Sequence, residues 1–281
     1  MTEHRSLNYP KVDPNVRKTS VPDRLAALVT KEKISHDYME QMKILHAWKP
    51  LASQRRALIV GARAGNIGMA ISDQLFENGM IVMPVDKDQV DVCQLSDKFT
   101  ELAEVCDVLV LSNGVMKSAW FEDFKNEDIE LIFDTNIVGS LKAARDFVKL
   151  TMQKDYKKYI VFVGSMAHRC VLNGSVAYCA SKAALAQATR CLAWELAPKG
   201  FNVFCVHPSN TEGTPMTERT IQGLMEFRGL SRAEATSYWG AVLPKAKWLQ
   251  PDDVAETVAF LVSGKADYLS GANLDMAGGQ R

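Results

Sequence analysis

The 281-residue sequence contains no apolar run that approaches the ~20 residues needed to span a bilayer. No stretch near its N-terminus resembles the apolar region of a secretory signal. The six cysteines form no C-x-x-C pair, and none has a histidine partner at zinc-site spacing. These absences predict a cytoplasmic protein with no membrane span, no metal and no structural disulfide.

The sequence also has no excess of charge of either sign, because 33 Lys and Arg residues balance 33 Asp and Glu residues. The balance hides an asymmetry: residues 1–56 hold 11 of the basic and only 6 of the acidic residues. No compact basic cluster with interleaved aromatic residues occurs, which argues against nucleic-acid binding. The basic segment is instead expected to dock on the acidic remainder of the chain or on a sister subunit.

Residues 1–56 are predicted to form a partly helical N-terminal extension. Apolar residues with helical spacing follow Pro22 and recur between Tyr38 and Trp48, and Pro50 is expected to end the second helix. Residues 57–281 have the length of one large domain.

From residue 57 onward, continuous apolar segments alternate with helical patterns. The predicted strands cover 57–61, 80–86, 107–114, 158–165, 201–209 and 272–279. The predicted helices cover 66–79, 95–106, 127–155, 176–198 and 251–263, and 209–247 is expected to be irregular with helical pieces. This alternation predicts an α/β fold with a Rossmann-type, doubly wound parallel sheet that is covered on both faces.

A glycine-rich turn joins the first predicted strand to the first predicted helix. The sequence "GARAGNIG" places Gly61, Gly65 and Gly68 there. Glycines allow a tight turn and a close approach to a pyrophosphate, which the helix N-terminus stabilises through its free N–H groups. The strand–turn–helix context favours a dinucleotide site over a turn of purely structural importance.

Two residues near this turn point to different forms of the cofactor. Asp86 ends the second strand, where a carboxylate can accept hydrogen bonds from the adenosine ribose and repel a 2′-phosphate. Arg63 lies inside the glycine turn, where a guanidinium could pair with that phosphate. The sequence favours NAD, with NADP as the alternative.

The stretch "AYCASKAAL" places Tyr178 and Lys182 four residues apart on a predicted helix, so their side chains share a face. A free phenol has a pKa of ~10, and a nearby ammonium favours its ionised form. Such a pair suits general acid–base catalysis near neutral pH. By itself, however, the pair is also compatible with a surface contact of no consequence.

Several motifs in order resemble the short-chain dehydrogenase/reductase family over about residues 57–279. They are "GARAGNIG", "DVLVLSNG", "DTNIVGS", "VGSMAH", the pair Tyr178-x-x-x-Lys182, "VHPSNTEGTPM" and "YLSGANLDMAGG". Any one of these motifs is weak, but their combination is specific.

The resemblance implies roles for four catalytic residues. Tyr178 would be the general acid/base, and Lys182 would bind the nicotinamide ribose and lower the phenol pKa. Ser165 would hold the substrate oxygen, and Asn136 would help to hold a proton-relaying water. The residues expected to contact the cofactor are Gly61, Arg63, Gly65, Asn66, Ile67, Gly68, Asp86, Gln94, Leu95, Asn113, Gly114, Tyr178, Lys182, Pro208 and Thr211.

The sequence departs from the family pattern in three places. "LSNG" replaces Asn-Asn-Ala-Gly, and Ser209 replaces the glycine that usually follows Pro208. The segment between Asp86 and Asn113 is short, as if a helix were lost, so Gln94 and Leu95 are expected to form the adenine pocket. Thr214 is a second candidate, beside Thr211, for the threonine that contacts the carboxamide.

These features predict an NAD(P)-dependent oxidoreductase that interconverts a secondary alcohol and a ketone. Residues 211–247 are expected to form a substrate lid whose apolar members favour a fairly hydrophobic substrate; they are Met216, Met225, Phe227, Tyr238 and Trp239. The family resemblance implies a homotetramer built through 127–155 and 176–198. The alternative function is a catalytically idle nucleotide sensor or scaffold. An enoyl reductase is disfavoured, because the tyrosine–lysine separation usual in such enzymes is longer than four.

Overall fold

The computed structural model of the protein describes residues 54–240 and 248–279, without the side chains of Phe227 and Trp239. The predicted N-terminal extension therefore lies outside the described residues, apart from its last three positions.

Six parallel strands form one sheet in the described part of the chain. The strands are β1 (Arg56–Val60), β2 (Ile81–Val85), β3 (Val108–Leu111), β4 (Lys158–Val163), β5 (Phe201–Pro208) and β6 (Asn273–Met276). Their order across the sheet is β2-β1-β3-β4-β5-β6. The chain therefore winds outward in both directions from the gap between β1 and β3, which confirms the predicted Rossmann-type fold.

Helices connect these strands and cover the sheet. They are α1 (Ile67–Glu77), α2 (Asp97–Glu104), α3 (Asn126–Phe133), α4 (Gly139–Thr151), α5 (Val176–Leu196), α6 (Pro215–Arg228), α7 (Arg232–Gly240) and α8 (Pro251–Val262). None of the helices in this part of the chain is both long and apolar enough to cross a bilayer.

The sheet is buried on both faces, as its continuous apolar strands predict. Side chains alternate between faces along a strand, and both Ile59 and its neighbour Leu58 are fully buried. Ile59 belongs to the core that β1 and β3 to β5 form with α1 and α8, where it lies near Ile71 and Val258. The six cysteines all carry free thiols.

In two segments the structure defines the secondary structure more closely than the sequence does. The predicted helix over 127–155 is interrupted by a π-helical turn, Asp134–Val138, between α3 and α4. The segment 209–247, expected to be irregular with helical pieces, contains the two helices α6 and α7. Pro215 and Thr214 explain the start of α6, because proline suits the first helical turn and the Thr214 hydroxyl accepts a hydrogen bond from the Thr217 amide.

The connection from β2 to β3 is short and contains the single helix α2. Among the described strands, β2 lies at one edge of the sheet. The Ile81 amide donates to the Arg55 carbonyl, and the Val85 carbonyl accepts from the Gly61 amide, so these residues face inward. Pro84, between Met83 and Val85, therefore turns its ring nitrogen away from β1.

Candidate active site

A cleft of about 450 Å³ opens at the carboxyl ends of the strands, where ligands bind in open α/β sheets. It is lined by residues that follow β1, β2, β3, β4 and β5 and by the N-terminal turns of α5 and α6. Of the residues predicted to contact the cofactor, those on its walls are Gly61, Arg63, Asn66, Ile67, Asp86, Asn113, Gly114, Tyr178, Lys182, Pro208 and Thr211.

The glycine turn has the close backbone packing that its sequence predicts. A Cβ on Gly61 would lie 2.7 Å from the Asn113 amide nitrogen, and one on Gly68 would lie 2.6 Å from the Gly61 carbonyl oxygen. By contrast, Gly65 has a φ of +77° with open space beside it. These glycines let β1, the turn and α1 approach closely, and they leave room above the turn for a ligand. Gly65 and Gly68 do not themselves line the cleft.

Asn66 caps α1 and braces the turn. Its Oδ1 accepts from the Met69 amide at 3.0 Å, and its Nδ2 donates to the Gly61 carbonyl at 2.9 Å. The free N–H groups of the first turn of α1 thus face a cleft, where they can stabilise a pyrophosphate. The turn therefore fits the phosphates of a dinucleotide.

Arg63 and Asp86, which point to different cofactors, lie within reach of each other. Arg63 Nε is 3.9 Å from Asp86 Oδ2, and Arg63 Nη2 is 3.6 Å from Asp88 Oδ2. The guanidinium is more than half exposed, so screening by water keeps these pairs weak. Arg63 is therefore free to exchange carboxylates for a phosphate.

Gln94 and Leu95 do not line the cleft, contrary to the prediction for the adenine pocket. A turn in which the Gln94 amide donates to the Asp91 carbonyl directs Gln94 to solvent and buries Val92. Val90, Asp91 and Val92 line the cleft instead.

Tyr178 is nearly fully buried in the first turn of α5, at the end of the helix that faces the cleft. Burial raises the pKa of its phenol to about 12, although a hydrogen bond with the Ser165 side chain lowers it. Its Oη also lies 3.9 Å from Met216 Sδ. Desolvation is thus the largest influence on the pKa of this phenol, and the lowering expected from Lys182 stays a prediction.

Lys182 lies one turn further along α5 and is also buried. Its Nζ donates to the Val163 carbonyl at 3.0 Å and lies 5.8 Å from the centre of the Tyr178 ring. Burial lowers the pKa of this ammonium to about 8, and nearby Cys205 raises it. A Cβ on Gly114 would lie 3.4 Å from this Nζ, so the glycine keeps open the space above the lysine.

Asn136 lies in the π-helical turn, and it is fully buried. Its Oδ1 accepts from the Val115 amide at 2.8 Å, while its Nδ2 donates to the Val115 carbonyl and to Ser181 Oγ. The side chain does not line the cleft. Asn136 thus fastens the segment after β3 to α5, and its predicted contact with a relay water stays a prediction.

Ser165 follows β4 and lines the cleft opposite Tyr178. Polar side chains surround the main chain of Ser165, although the strands beside it, β4 and β5, consist mostly of apolar residues. His168 and His207 stack beside it with 3.8 Å between ring centres. No role for His207 follows from the sequence motifs, and its one signal is a histidine within the apolar run "FNVFCVHP".

The residues after β5 form the far wall. Pro208 and Thr211 line the cleft as predicted, and Ser209 and Thr214 do so as well. Thr214 Oγ1 lies 3.5 Å from the Thr211 carbonyl oxygen, so both threonines remain close enough to contact one ligand group.

Only part of the predicted lid faces the cleft. Met216 lines it, as does Trp248, which follows the predicted lid segment. Met225 instead packs with Ile221 in a small separate core, and Tyr238 lies beneath the Arg228 guanidinium. Neither side chain lines the cleft, and Tyr238 lies on α7 rather than on α6. Residues 241–247 lie outside the described residues.

The sequence model of a family described as enoyl-(acyl carrier protein) reductase matches residues 60–281. The chain is 29% identical to the 3-oxoacyl-[acyl-carrier-protein] reductase FabG of Rickettsia bellii over 247 residues. That alignment covers 81% of this chain and 97% of the relative.

Solved structures show the same fold. An actinorhodin polyketide ketoreductase with NADPH has a TM-score of 0.73 and 24% identity, and the match covers 81% of this chain and 97% of that one. An Agrobacterium tumefaciens protein assigned as a 2-deoxy-D-gluconate 3-dehydrogenase, with bound NADP, has a TM-score of 0.69 and 26% identity. That match covers 80% of this chain and 96% of the other.

Proposed function

Because this chain belongs to the short-chain dehydrogenase/reductase family, we propose that it interconverts a secondary alcohol and a ketone, with Tyr178 as general acid/base. It is an oxidoreductase of CH–OH and carbonyl groups and uses a nicotinamide dinucleotide. The observation that carries the finer proposal is the convergence of Ser165, Tyr178 and Lys182 on one cleft whose glycine turn fits a pyrophosphate.

When bound, a nicotinamide would supply or accept the hydride at the carbon that bears the substrate oxygen. The Ser165 hydroxyl donates a hydrogen bond to that oxygen and stabilises its developing negative charge during reduction. Tyr178 Oη then transfers its proton to the oxygen, and the Lys182 ammonium stabilises the phenolate that remains. Oxidation of the alcohol follows the same steps in reverse.

The phenol pKa of about 12 suits the proton-donor half of this reaction. Tyr178 remains protonated at neutral pH and can act as an acid. For it to act as a base, charge must favour the phenolate, and the positively charged nicotinamide of the oxidised cofactor adds to the effect of Lys182. Alcohol oxidation is therefore expected to need a higher pH than ketone reduction.

NADP is the cofactor form that we propose, although Asp86 by itself favours NAD. Arg63 lines the cleft and is held only by exposed ion pairs with Asp86 and Asp88, so it can move to a 2′-phosphate. The NADP bound to the Agrobacterium protein supports this choice.

The substrate is proposed to be fairly hydrophobic. Apolar side chains surround the end of the cleft near Tyr178, including Met116, Leu172, Met216 and Trp248. The name of the Rickettsia relative, a reductase of 3-oxoacyl groups, supports an acyl chain beside the ketone. An enoyl reductase is less compatible with the four-residue separation of Tyr178 and Lys182.

A substitution of the general acid tests the mechanism directly. Tyr178→Phe should lower kcat for ketone reduction with NADPH by at least about a thousandfold, which is the loss expected when proton transfer and its electrostatic support are removed together. Tyr156→Phe is the matched control, because that half-buried phenol donates to the Cys106 carbonyl away from the cleft. If Tyr178→Phe kept the wild-type rate, the mechanism would be wrong.

The catalytically idle alternative remains a defined outcome of the same assay. It would be supported if the wild-type protein bound NADPH tightly and turned over none of a broad panel of ketones and alcohols. The substitutions at "LSNG" and Ser209 motivated this alternative, but neither removes a group of the proposed mechanism.

We also propose the homotetramer that the family resemblance implies, built through α4 and α5. Trp194 on α5 supports it, because its side chain is 88% exposed and lies beside Arg190 and Pro198 in a shallow surface depression. A large exposed aromatic side chain is typical of an interface.

A further inference from the structure

The main chain of Ser165 lies between two stacked imidazoles. The Ser165 amide is 3.2 Å from His207 Nδ1, and the Ser165 carbonyl oxygen is 3.0 Å from His168 Nδ1. We infer that His207 and His168 are positioning residues that fix the Ser165 peptide, so that its hydroxyl points at the reacting oxygen. This inference rests on the function proposed above for Ser165.

The hydrogen bonds of His207 determine its tautomer. Its Nε2 lies 2.8 Å from Asn273 Oδ1. Asn273 Nδ2 donates to the carbonyls of Ala186 and Gly271, so Oδ1 is the atom that accepts. His207 Nε2 therefore carries the proton, and in the neutral ring Nδ1 is an acceptor. It can accept from the Ser165 N–H, but it forms no hydrogen bond with the Ser165 carbonyl oxygen, which lies 3.1 Å from it.

Burial keeps this ring neutral. His207 is fully buried, and desolvation lowers its pKa to about 4, while the hydrogen bond with Asn273 raises it. The neutral ring can accept the Ser165 N–H, whereas an imidazolium could not. The charged groups closest to the stack are Asp275, the register partner of His207 on β6, and Arg169, which pairs with Asp275 at 2.8 Å.

His168 supplies the complementary donor. Its Nδ1–H can donate to the Ser165 carbonyl, which also accepts from the His168 amide at 3.0 Å. Its Nε2 lies 3.5 Å from Asp275 Oδ1, which is long for a hydrogen bond, so the ring proton can reside on Nδ1. One imidazole thus accepts from the Ser165 peptide and the other donates to it.

The contacts of His207 also connect the serine to the helix of the catalytic tyrosine. Asn273 binds His207 on one side and the Ala186 carbonyl of α5 on the other. A Cβ on Gly164 would lie 2.3 Å from His207 Nδ1, so the ring rests directly on the backbone before Ser165. The two histidines consequently hold Ser165 in a fixed relation to α5, which carries Tyr178.

Two substitutions at His207 separate its two hydrogen bonds. His207→Asn places an amide oxygen near the position of Nδ1 and keeps an acceptor for Ser165. His207→Gln places an amide N–H near the position of Nε2 and keeps only the donor to Asn273. We expect His207→Gln to lower kcat about tenfold and His207→Asn at most about threefold, with unchanged KM for the ketone and unchanged Kd for NADPH.

His168 gives an independent pair, in case substitutions at the buried His207 prevent folding. His168→Phe keeps an aromatic ring on the stack but removes the donor, and His168→Asn keeps a donor near Nδ1 but removes the ring. We expect the phenylalanine variant to lose about three- to tenfold in kcat and the asparagine variant to stay close to wild type. The reverse ranking would overturn the inference, because it would show that stacking alone matters.

Ser165→Ala, assayed in parallel, separates this inference from the proposed function. If Ser165→Ala left kcat unchanged, Ser165 would have no catalytic role. The mechanism proposed above would then be wrong, whatever the histidine variants showed. If Ser165→Ala abolished turnover while all four histidine variants matched wild type, the positioning inference alone would be overturned.

The tautomer itself can be measured without turnover. Long-range ¹H–¹⁵N correlation of ¹⁵N-histidine-labelled protein should show His207 as the neutral Nε2–H form at pH 7. A doubly protonated ring or the Nδ1–H form would overturn the inference, whatever the catalytic activity.

Discussion

The Lys182 ammonium donates a hydrogen bond to the Val163 carbonyl, with 3.0 Å between Nζ and the oxygen. This contact ties α5 to the end of β4, just before Ser165. It also places a cationic side chain in a site that is almost fully buried, which lowers its pKa to about 8. The proposed reaction requires this charge, whereas burial opposes it.

Ketone reduction should lose rate as the pH rises through about 8. Below this pH Lys182 is charged and stabilises the Tyr178 phenolate, and above it the ammonium loses its proton. The Tyr178 phenol, whose pKa is about 12, stays protonated throughout. Values of kcat/KM from pH 6 to 10 at constant ionic strength check this, and a rate that increased between pH 8 and 10 would contradict it.

Lys182→Met should stabilise the protein at pH 7 while it removes activity. The folded-state pKa is depressed from 10.5 to about 8, so the unfolded chain binds more protons between these values. The free-energy cost of burying the charge is therefore fully present below pH 8 and is lost above pH 10.5. Lys182→Met removes this cost but also loses the hydrogen bond to Val163. The net gain in the free energy of unfolding is therefore about 1–3 kcal/mol. Urea unfolding at pH 7 measures the gain. The gain should shrink at pH 10.5, and a destabilised variant at pH 7 would show that burial is not the main cost.

Two glycine substitutions in the turn should differ in severity. Gly61→Ala and Gly65→Ala both strain a backbone with positive φ, which costs about 1 kcal/mol. Gly61→Ala also forces a methyl group to within 2.7 Å of the Asn113 main chain, whereas the methyl at Gly65 enters open space. Thermal melts without ligand should show a larger loss for Gly61→Ala, and equal losses would contradict the close approach.

Arg63→Gln should weaken NADPH binding about tenfold and leave NADH binding nearly unchanged, because the guanidinium is the group proposed to pair with the 2′-phosphate. Fluorescence titration with both cofactors measures the two Kd values. Lys87→Gln is the matched control, since Lys87 also lines the cleft but pairs with Asp91. A wild-type preference for NADH, unchanged in Arg63→Gln, would return the assignment to NAD through Asp86.

Trp194→Glu should dissociate the proposed tetramer, because it places a charge where a second copy is expected to cover the indole. Analytical ultracentrifugation at micromolar concentration measures the mass. Phe76→Glu is the control, as Phe76 is a half-exposed aromatic residue on α1, away from α4 and α5. A wild-type monomer, or a tetramer that persisted in Trp194→Glu, would reject this interface.

Much of the fold could be predicted from the sequence because its strands are continuous apolar runs of ordinary length. The π-helical turn at Asp134–Val138 could not be predicted, since a single wider turn changes the helical period too little to detect. The bounds of α6 and α7 could not be predicted either, although helical pieces are expected in this segment. Their polar and apolar residues are poorly segregated, and tertiary contacts decide their structure.

The candidate site was predictable where one short motif contains the chemistry, as with Tyr178 and Lys182. It was not predictable where the sheet brings distant residues together. His207 meets Asn273 only because β5 pairs with β6, and 66 residues separate them in the chain. The prediction that Gln94 lines the cleft was wrong for a local reason, because one turn of the chain determines that Val92 and not Gln94 faces the cleft.

The outward-facing nitrogen of Pro84 limits how copies of this protein can associate. An edge strand normally offers a row of donors to which a strand from another chain can pair. At the middle of β2 that row is interrupted, because proline has no N–H. Growth of the sheet beyond β2 is therefore blocked at that position, and copies of the chain must meet through other surfaces, such as helices.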